Sequence, residues 1–552
     1  MRRGSLALLA CAATFAAAPA AAQAQVPGSS EQLRNGVRLN GLVEHLRNLQ
    51  SIANLNNGTR ATGTPGYEAS VDYVIARLER AGYNVRTEPF NFPTWQENAP
   101  PALQAAGSTW TPGTAADDDT PDVDFITFEF SAGGDTGTVP VVPVTNNVEP
   151  PTEQPSSAAG CAIEDFPAET EGAISLIQRG TCPFVQKLAL AAEAGAVGVI
   201  LYNEGNPGRT NALFRIAPTD YPIPAVLSSY ALAKAILDAP DPTARLVVDA
   251  TTTPRYFDNV IAESRRGDRR NKVLLGAHLD SVPEGPGIND NGSGTAALLE
   301  IAETLARQRT ELVNQVAFAF WGAEEQGLIG STYFVEQLST AQKVRIMANL
   351  NFDMLASPNF ARFVYDGDLS DTPDPGEAVF APDARAGSAA IEAVFNDYFG
   401  FRGLAHEPTA FDGRSDYGPF IAAGIPAGGL FSGAEGVKTE EQVALYGGAA
   451  GSWYDPCYHQ ACDTLNTVLG QPPLDADGME EPGDAALMHG GGTTSLDQLA
   501  DAAAHATWFL ATRENPLGAA GTPAARAVAV RRAAAGTAVG HAEYRGHERV
   551  ER

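Results

Sequence analysis

Beyond residue 256 the chain alternates short apolar runs with helix-length segments, and this rhythm limits the fold more than any other feature. NVIAES, KVLLGAHLD, QVAFAFWGAEE, MANLNFDML and IPAGGLFSG are strand-like, while SGTAALLEIAETLARQ spaces its apolar residues as an amphipathic helix. Strands that alternate with helices build a doubly wound, mainly parallel α/β sheet, because each parallel connection must cross over one face. Such sheets leave their ligand crevice beyond the carboxyl ends of the strands. His278, Glu324, Glu325 and Asp353 fall at those ends.

The preceding residues divide in two. Residues 31–57 and 66–81 read as helices, the second with Val71, Val74, Ile75 and Leu78 at helical spacing and Gly82 at its end. YNVRTEPFNFPTW alternates as a strand, and residues 96–122, rich in Pro, Ala, Gly, Thr and Asp, read as an irregular connection. From 123 to 255 the texture is β-rich α/β: VDFITFEF and TVPVVPV lead into GAISLIQRGTCPFVQKLALAAEAGAVGVILYN, which parses as strand, turn, helix, strand. The early helices have no core of their own. Residues 25–122 and 256–513 are therefore expected to form the large sheet domain, with 123–255 inserted. Residues 470–492 read as a Gly/Pro/acid loop, and SLDQLADAAAHATWFLA as a closing helix. The tail 514–552 has no durable apolar stripe and reads as disordered.

At 552 residues the chain needs two or three domains. Its 37 basic against 66 acidic residues give a net charge of −29, which argues against a nucleic-acid partner. Residues 1–24 read as a signal peptide, so the mature chain is expected to be soluble and secreted or periplasmic. Cys11 in LLAC offers lipoprotein anchoring as the second reading. No segment is apolar over the roughly 20 residues that a transmembrane span requires. Cys161, Cys182, Cys457 and Cys462 remain outside the leader, an even number that suggests disulfides in an exported protein. Three connectivities are open, and pairing within each local couple is the economical one. Neither couple has the C-x-x-C spacing of a zinc site.

Singly, each polar strand-end motif has an ordinary explanation. His278 and Asp280 could be a buried hydrogen-bonded pair, and Asp290 before Asn-Gly-Ser-Gly could cap a helix. Two adjacent glutamates are usually solvated, but Glu324 and Glu325 directly follow AFAFWGA, where solvation is harder to arrange. Asp353 directly after NLNF has the same oddity, and His278 and His459 with Asp290, Glu325 and Asp353 supply two imidazoles and three carboxylates beyond Glu324. That donor set suits two divalent metals sharing one carboxylate. Adjacent residues of an extended chain point to opposite sides, so Glu324 and Glu325 can take different tasks. Asp280 can accept the other imidazole N–H of His278. No H-E-x-x-H run is present, and the GSG at 292–294 is not a serine-hydrolase elbow.

HLDSVPEGPGINDNGSG, FWGAEEQGLIGS, NFDML and PCYHQACDTL closely resemble the M28 family of zinc aminopeptidases, in particular its secreted leucine-type members. The resemblance covers most of residues 31–510, and GAISLIQRGTC resembles the protease-associated (PA) domain that such members carry as an insert. It implies a zinc-exopeptidase (phosphorylase/hydrolase-like) sheet and two Zn2+ per chain, Co2+ or Mn2+ being possible substitutes. The implied ligands are His278, Asp353 and bridging Asp290 on one side, with Glu325 and His459 completing the pair. Glu324 is the implied general base, Asp280 its neighbour behind His278, and Tyr458 a donor to the tetrahedral intermediate. Arg414 resembles a residue that contacts the substrate carbonyl region, and Cys457–Cys462 is the implied disulfide around the last ligand. The implied substrate is the amino terminus of a peptide or protein with a large apolar first residue. A carboxypeptidase, a glutaminyl-cyclase-like enzyme and a non-catalytic receptor module are the alternatives.

Overall fold

The computed structural model describes residues 30–113, 123–150, 157–182, 184–206, 210–211, 221–377, 379–471 and 491–536. The expected leader with Cys11, residues 472–490 of the acidic loop and residues 537–552 of the tail lie outside the described residues.

Strand Asp268–His278 lies between Asn314–Trp321 and Ile346–Phe352, parallel to both, and Ala427–Phe431 continues the parallel set beyond Ile346–Phe352. Toward both edges the pairing turns antiparallel: Tyr256–Glu263 pairs so with Asn314–Trp321 and Asn84–Asn91 with Tyr256–Glu263 on one side, and Phe363–Tyr365 with Ala427–Phe431 on the other, where Glu407–Thr409 runs parallel to Phe363–Tyr365. Alternation shows why both faces are covered. Val273, Leu275 and Ala277 enter the core with Phe318 and Leu350, while Leu274 enters the opposite core with Ala317, Trp321 and Phe334. A strand apolar on both faces requires helices on both. Helices Leu39–Leu55, Pro65–Ala81, Gly292–Gln308 and Gly491–Thr512 contribute to the first core. Helices Ile329–Gln337 and Gly418–Ala422 contribute to the second.

The chain leaves Asp268–His278 toward one neighbour, then crosses back to Ile346–Phe352 on the other side. This reversal opens a crevice at the carboxyl ends of those two strands. The mainly parallel, doubly wound sheet expected from the sequence is therefore present, with antiparallel pairings toward both edges.

The inserted domain has its own sheet, in which Val139–Pro143, Ile174–Gln178, Gly198–Tyr202 and Ala225–Ser228 run parallel. Both local disulfides form, Cys161–Cys182 here and Cys457–Cys462 in the large domain.

Three expectations need correction. The first helix is two, Glu31–Arg34 and Leu39–Leu55. The break falls around Gly36, where a Cβ would meet Thr304 Cγ2 at 2.4 Å, so the chain turns to press against Gly292–Gln308. Residues 96–105 are not irregular: Thr94–Ala105 is a strand paired with Thr243–Thr253 in the insert's sheet. Pro100 and Pro101 sit inside a register shift between the Ala99–Asp249 and Ala102–Val247 pairs, so neither has to donate to the ladder. Finally, the tail contains the helix Pro523–Gly536. A buried arginine anchors it beside a short apolar contact: Arg526 donates to the carbonyls of Val344 and Gly521 at 2.9 and 2.7 Å and to Asn271 Oδ1 at 2.6 Å, and Val530 enters the second core.

Candidate active site

His278 is the last residue of its strand, and the pairing of Gly276 with Asn351 brings Asp353 level with it across the crevice. Strand Asn314–Trp321 ends opposite His278 and turns immediately. Asn259 holds that turn, accepting from Gly322 N at 3.1 Å and donating to Gly330 O at 2.9 Å, while Thr62 Oγ1 accepts from Ala323 N at 2.8 Å. Glu324 and Glu325 are thereby fixed at the mouth of the crevice. Asp290 precedes Asn291, whose side chain caps the helix Gly292–Gln308 by accepting from Gly294 N at 2.9 Å. The expected capping role thus belongs to Asn291, and the Asp290 carboxylate is left for the site. His459 arrives on the loop closed by the Cys457–Cys462 disulfide.

These side chains converge. Asp290 turns Oδ1 toward His278 Nε2 at 3.2 Å and Oδ2 toward His459 Nε2 at 3.3 Å. Asp353 Oδ1 lies 3.2 Å from His278 Nε2, and Glu325 Oε2 lies 3.0 Å from His459 Nε2. Glu324 Oε2 stands farther off, 3.9 Å from His278 Nε2. A nitrogen that carries at most one hydrogen cannot satisfy two carboxylates at 3.2 Å, whereas one cation between them can. Zinc arms of about 2.0–2.1 Å imply ligand atoms about 3.3 Å apart on a tetrahedral edge, which matches these spacings. Glu325 Oε1 is buried with no hydrogen-bond partner among the described residues. The residues present fit a pair of divalent metals.

The charges point the same way. Burial opposes a charge on His278, but Asp353 and Glu324 beside it raise its pKa well above the ordinary histidine value. Burial also raises Glu324 well above the usual carboxylate range, with repulsion from Asp353 and Glu325 adding to it and His278 opposing. For Asp290, burial acts upward but is outweighed by the bonds to His278 and His459, which hold it below the usual range. A buried acidic group of this size calls for positive charge.

Asp280 departs in detail from its expected role. Its Oδ1 is 3.6 Å from His278 Nδ1, and the acceptor within hydrogen-bond distance is its own backbone carbonyl at 3.2 Å. The carboxylate instead accepts from Glu324 N at 3.3 Å, because the tight turn after the strand brings the Glu324 amide over it. Tyr458 stacks on His459 with ring centroids 3.8 Å apart. Arg414 donates to Glu435 Oε1 at 2.7 Å and lies within electrostatic reach of Tyr458.

Sequence reasoning missed several partners. Ser415 donates to Asp353 Oδ2 at 2.6 Å and accepts from Asn351 Nδ2 at 2.8 Å. Asp463 accepts from the amides of Asn289 and Asp290 at 2.7 and 2.9 Å, and Asp455 accepts from Asn289 Nδ2 at 2.6 Å. Asp416 is buried beside the cluster, its pKa raised well above the usual range by burial and by Glu324. Ser415, Asp416 and Asp463 lie in the same motifs as Arg414 and His459, which was a usable signal; Arg60, described below, had none.

Fold and site together define a metallopeptidase. Residues 259–472 match the model of Peptidase family M28, and residues 137–236 match that of the PA domain. An aminopeptidase of Pseudomonas aeruginosa is 46% identical over 435 residues, covering 78% of this chain and 77% of that protein. Leucine aminopeptidase 2 of Arthroderma otae is 37% identical over 443 residues, covering 80% and 82%. In fold, the chain is similar to an aminopeptidase from Aneurinibacillus sp. strain AM-1, with a TM-score of 0.58 at 23% identity over 88% of this chain and 97% of that one. It is also similar to a zinc aminopeptidase from Bacillus subtilis, with a TM-score of 0.53 at 22% identity over 86% and 96%. The chain belongs to Peptidase family M28 and carries an inserted PA domain.

Proposed function

We propose that this protein is an exported two-zinc aminopeptidase that removes the first residue of peptides and proteins, with a preference for large apolar residues. The observation that carries the two-metal reading is Asp290, whose two oxygens face two different imidazoles at 3.2 and 3.3 Å. His278, Asp353 and Oδ1 of Asp290 would hold one ion; His459, Glu325 and Oδ2 of Asp290 would hold the other. The names of relatives up to 46% identical support amino-terminal cleavage over the carboxypeptidase and cyclase alternatives, and the leucine aminopeptidases among them support the apolar preference. Two disulfides and the leader-like first residues support export. Among the described residues no helix is long and apolar enough to cross a membrane.

Zinc, when bound, polarises the scissile carbonyl and acidifies water. Glu324 takes a proton from the attacking water and delivers it to the leaving amine. A buried carboxylate with raised proton affinity suits both steps. Asp280, accepting from the Glu324 amide, holds the base in place. Tyr458 directs its hydroxyl to the developing oxyanion, and Arg414 faces the substrate carbonyl region.

Hydrolysis of leucine p-nitroanilide beside an amino-blocked peptide, with and without chelator, tests the reading. Cleavage of the blocked peptide alone would overturn it. Glu324→Ala is expected to keep both zinc ions while turnover falls about 10²–10⁴-fold; an unimpaired variant would remove Glu324 from the role.

A further inference from the structure

Arg60 lies between the helices Leu39–Leu55 and Pro65–Ala81 and is fully buried. Each guanidinium nitrogen donates to a different backbone carbonyl: Nη1 to Leu279, Nε to Pro286 at 2.8 Å and Nη2 to Gly287 at 2.6 Å. Its own amide donates to Ser281 Oγ at 3.0 Å, and that hydroxyl is 2.9 Å from the Gly285 carbonyl it bonds. Every one of these bonds ends in residues 279–287, the stretch that joins His278 to Asp290. The approach is close: Gly287 has φ +59, and a Cβ there would meet Asp290 O at 2.2 Å and Arg60 Nη2 at 3.2 Å. A buried cation bonded to neutral carbonyls needs a negative field nearby. Asp280, Asp463, Asp290 and Glu325 provide it. Burial lowers the guanidinium pKa to about 10 and these carboxylates act against that loss, so it stays charged at neutral pH.

We infer that Arg60 is a positioning residue for the metal site, holding the connecting loop so that His278 and Asp290 face each other before metal enters. The inference rests on the two-metal reading above. The planar three-nitrogen fork matters, because a lysine ammonium is a point charge that cannot hold three carbonyls in one fixed geometry.

The test compares wild type with R60K and R60A. Zinc affinity is read by competition with a chromophoric chelator, folding by near-ultraviolet circular dichroism, and thermal midpoints with and without zinc. R60K is expected to fold and to bind zinc about 10–100-fold more weakly, with a smaller zinc-induced rise in midpoint. Turnover of R60K should recover at high zinc with KM unchanged. Tens of millimolar guanidinium, but not urea, should restore zinc binding to R60A. An R60K variant that binds zinc as tightly as wild type overturns the positioning role alone. Loss of fold in both variants also overturns it, in favour of a purely structural role. A wild type that takes up no zinc overturns the metal reading and this role with it.

Discussion

One helix, Gly292–Gln308, has a cluster of histidine and carboxylates at its start and another along its second half, and the two clusters differ in what balances their charge. At its start, no arginine or lysine side chain among the described residues bonds Asp290, Glu325 or Asp353, and the facing groups are imidazoles at 3.0–3.3 Å. Along its second half, His45, Glu300 and Glu303 also offer three metal-capable donors within 4.8 Å of one another. There Arg77 donates to both oxygens of Glu303 at 2.6 and 3.0 Å, and Arg307 to Glu300 at 3.2 Å. His45 spends Nδ1 on the Tyr73 hydroxyl at 2.7 Å, and its Nε2 is 3.8 Å from Glu300. Residue types alone therefore do not make a metal site. The distinction is whether the protein has already supplied the counter-cation.

That contrast can be broken by experiment. Asp290→Asn has the largest expected effect: it weakens both metal positions at once, leaving less than one zinc per chain and lowering turnover beyond the roughly 10–100-fold ascribed to outer partners. Metal analysis with leucine p-nitroanilide kinetics checks it, and normal zinc content would defeat the bridging assignment. Next comes zinc removal. Chelation should lower the thermal midpoint, and readdition should restore it with two equivalents; uptake of a third that is lost in His45→Ala would show that the His45 cluster also binds. Each zinc site is expected to add about 2.7 kcal/mol at zinc a hundredfold above that site's dissociation constant.

Glu303→Gln should do the reverse of Asp290→Asn. It leaves Arg77 with Glu44, at 3.1 Å, as its remaining carboxylate partner and costs about 1–3 kcal/mol in a urea titration, while zinc content and turnover stay at wild-type levels. The smallest effect is expected from Ser415→Ala, which frees Asp353 Oδ2 and should weaken zinc about tenfold, the lower end for an outer partner. Equal zinc affinity in this variant would make Ser415 incidental.

Legibility followed the range of the interactions. The parallel strands and their helices were readable because burial alternates along a strand and recurs along a helix within a few residues. Thr94–Ala105 was not, because its two prolines argue against a strand until the register shift in its partner is known. The helix Pro523–Gly536 was missed for a related reason: it is held by a buried arginine bonded to residues 182 and 255 positions away and by the single large apolar residue Val530 in the second core, too little to show as a stripe. At the site, the donor residues stood out because acids beside AFAFW and NLNF conflict with their surroundings. Of their supporting partners, Ser415, Asp416 and Asp463 share motifs with Arg414 and His459, whereas Arg60 is an ordinary residue type in an ordinary context.

By itself, then, the sequence determined which donors exist and that His278, Glu324, Glu325 and Asp353 sit at strand ends, since both follow from local chemistry and periodicity. Tertiary structure alone decided how they pair. The Asp290 amide finds Asp463 across 173 residues, Asp353 finds Ser415 across 62, and Arg60 reaches the Gly287 carbonyl across 227. Charge balance depends on distances between such segments, and only the folded chain sets those distances.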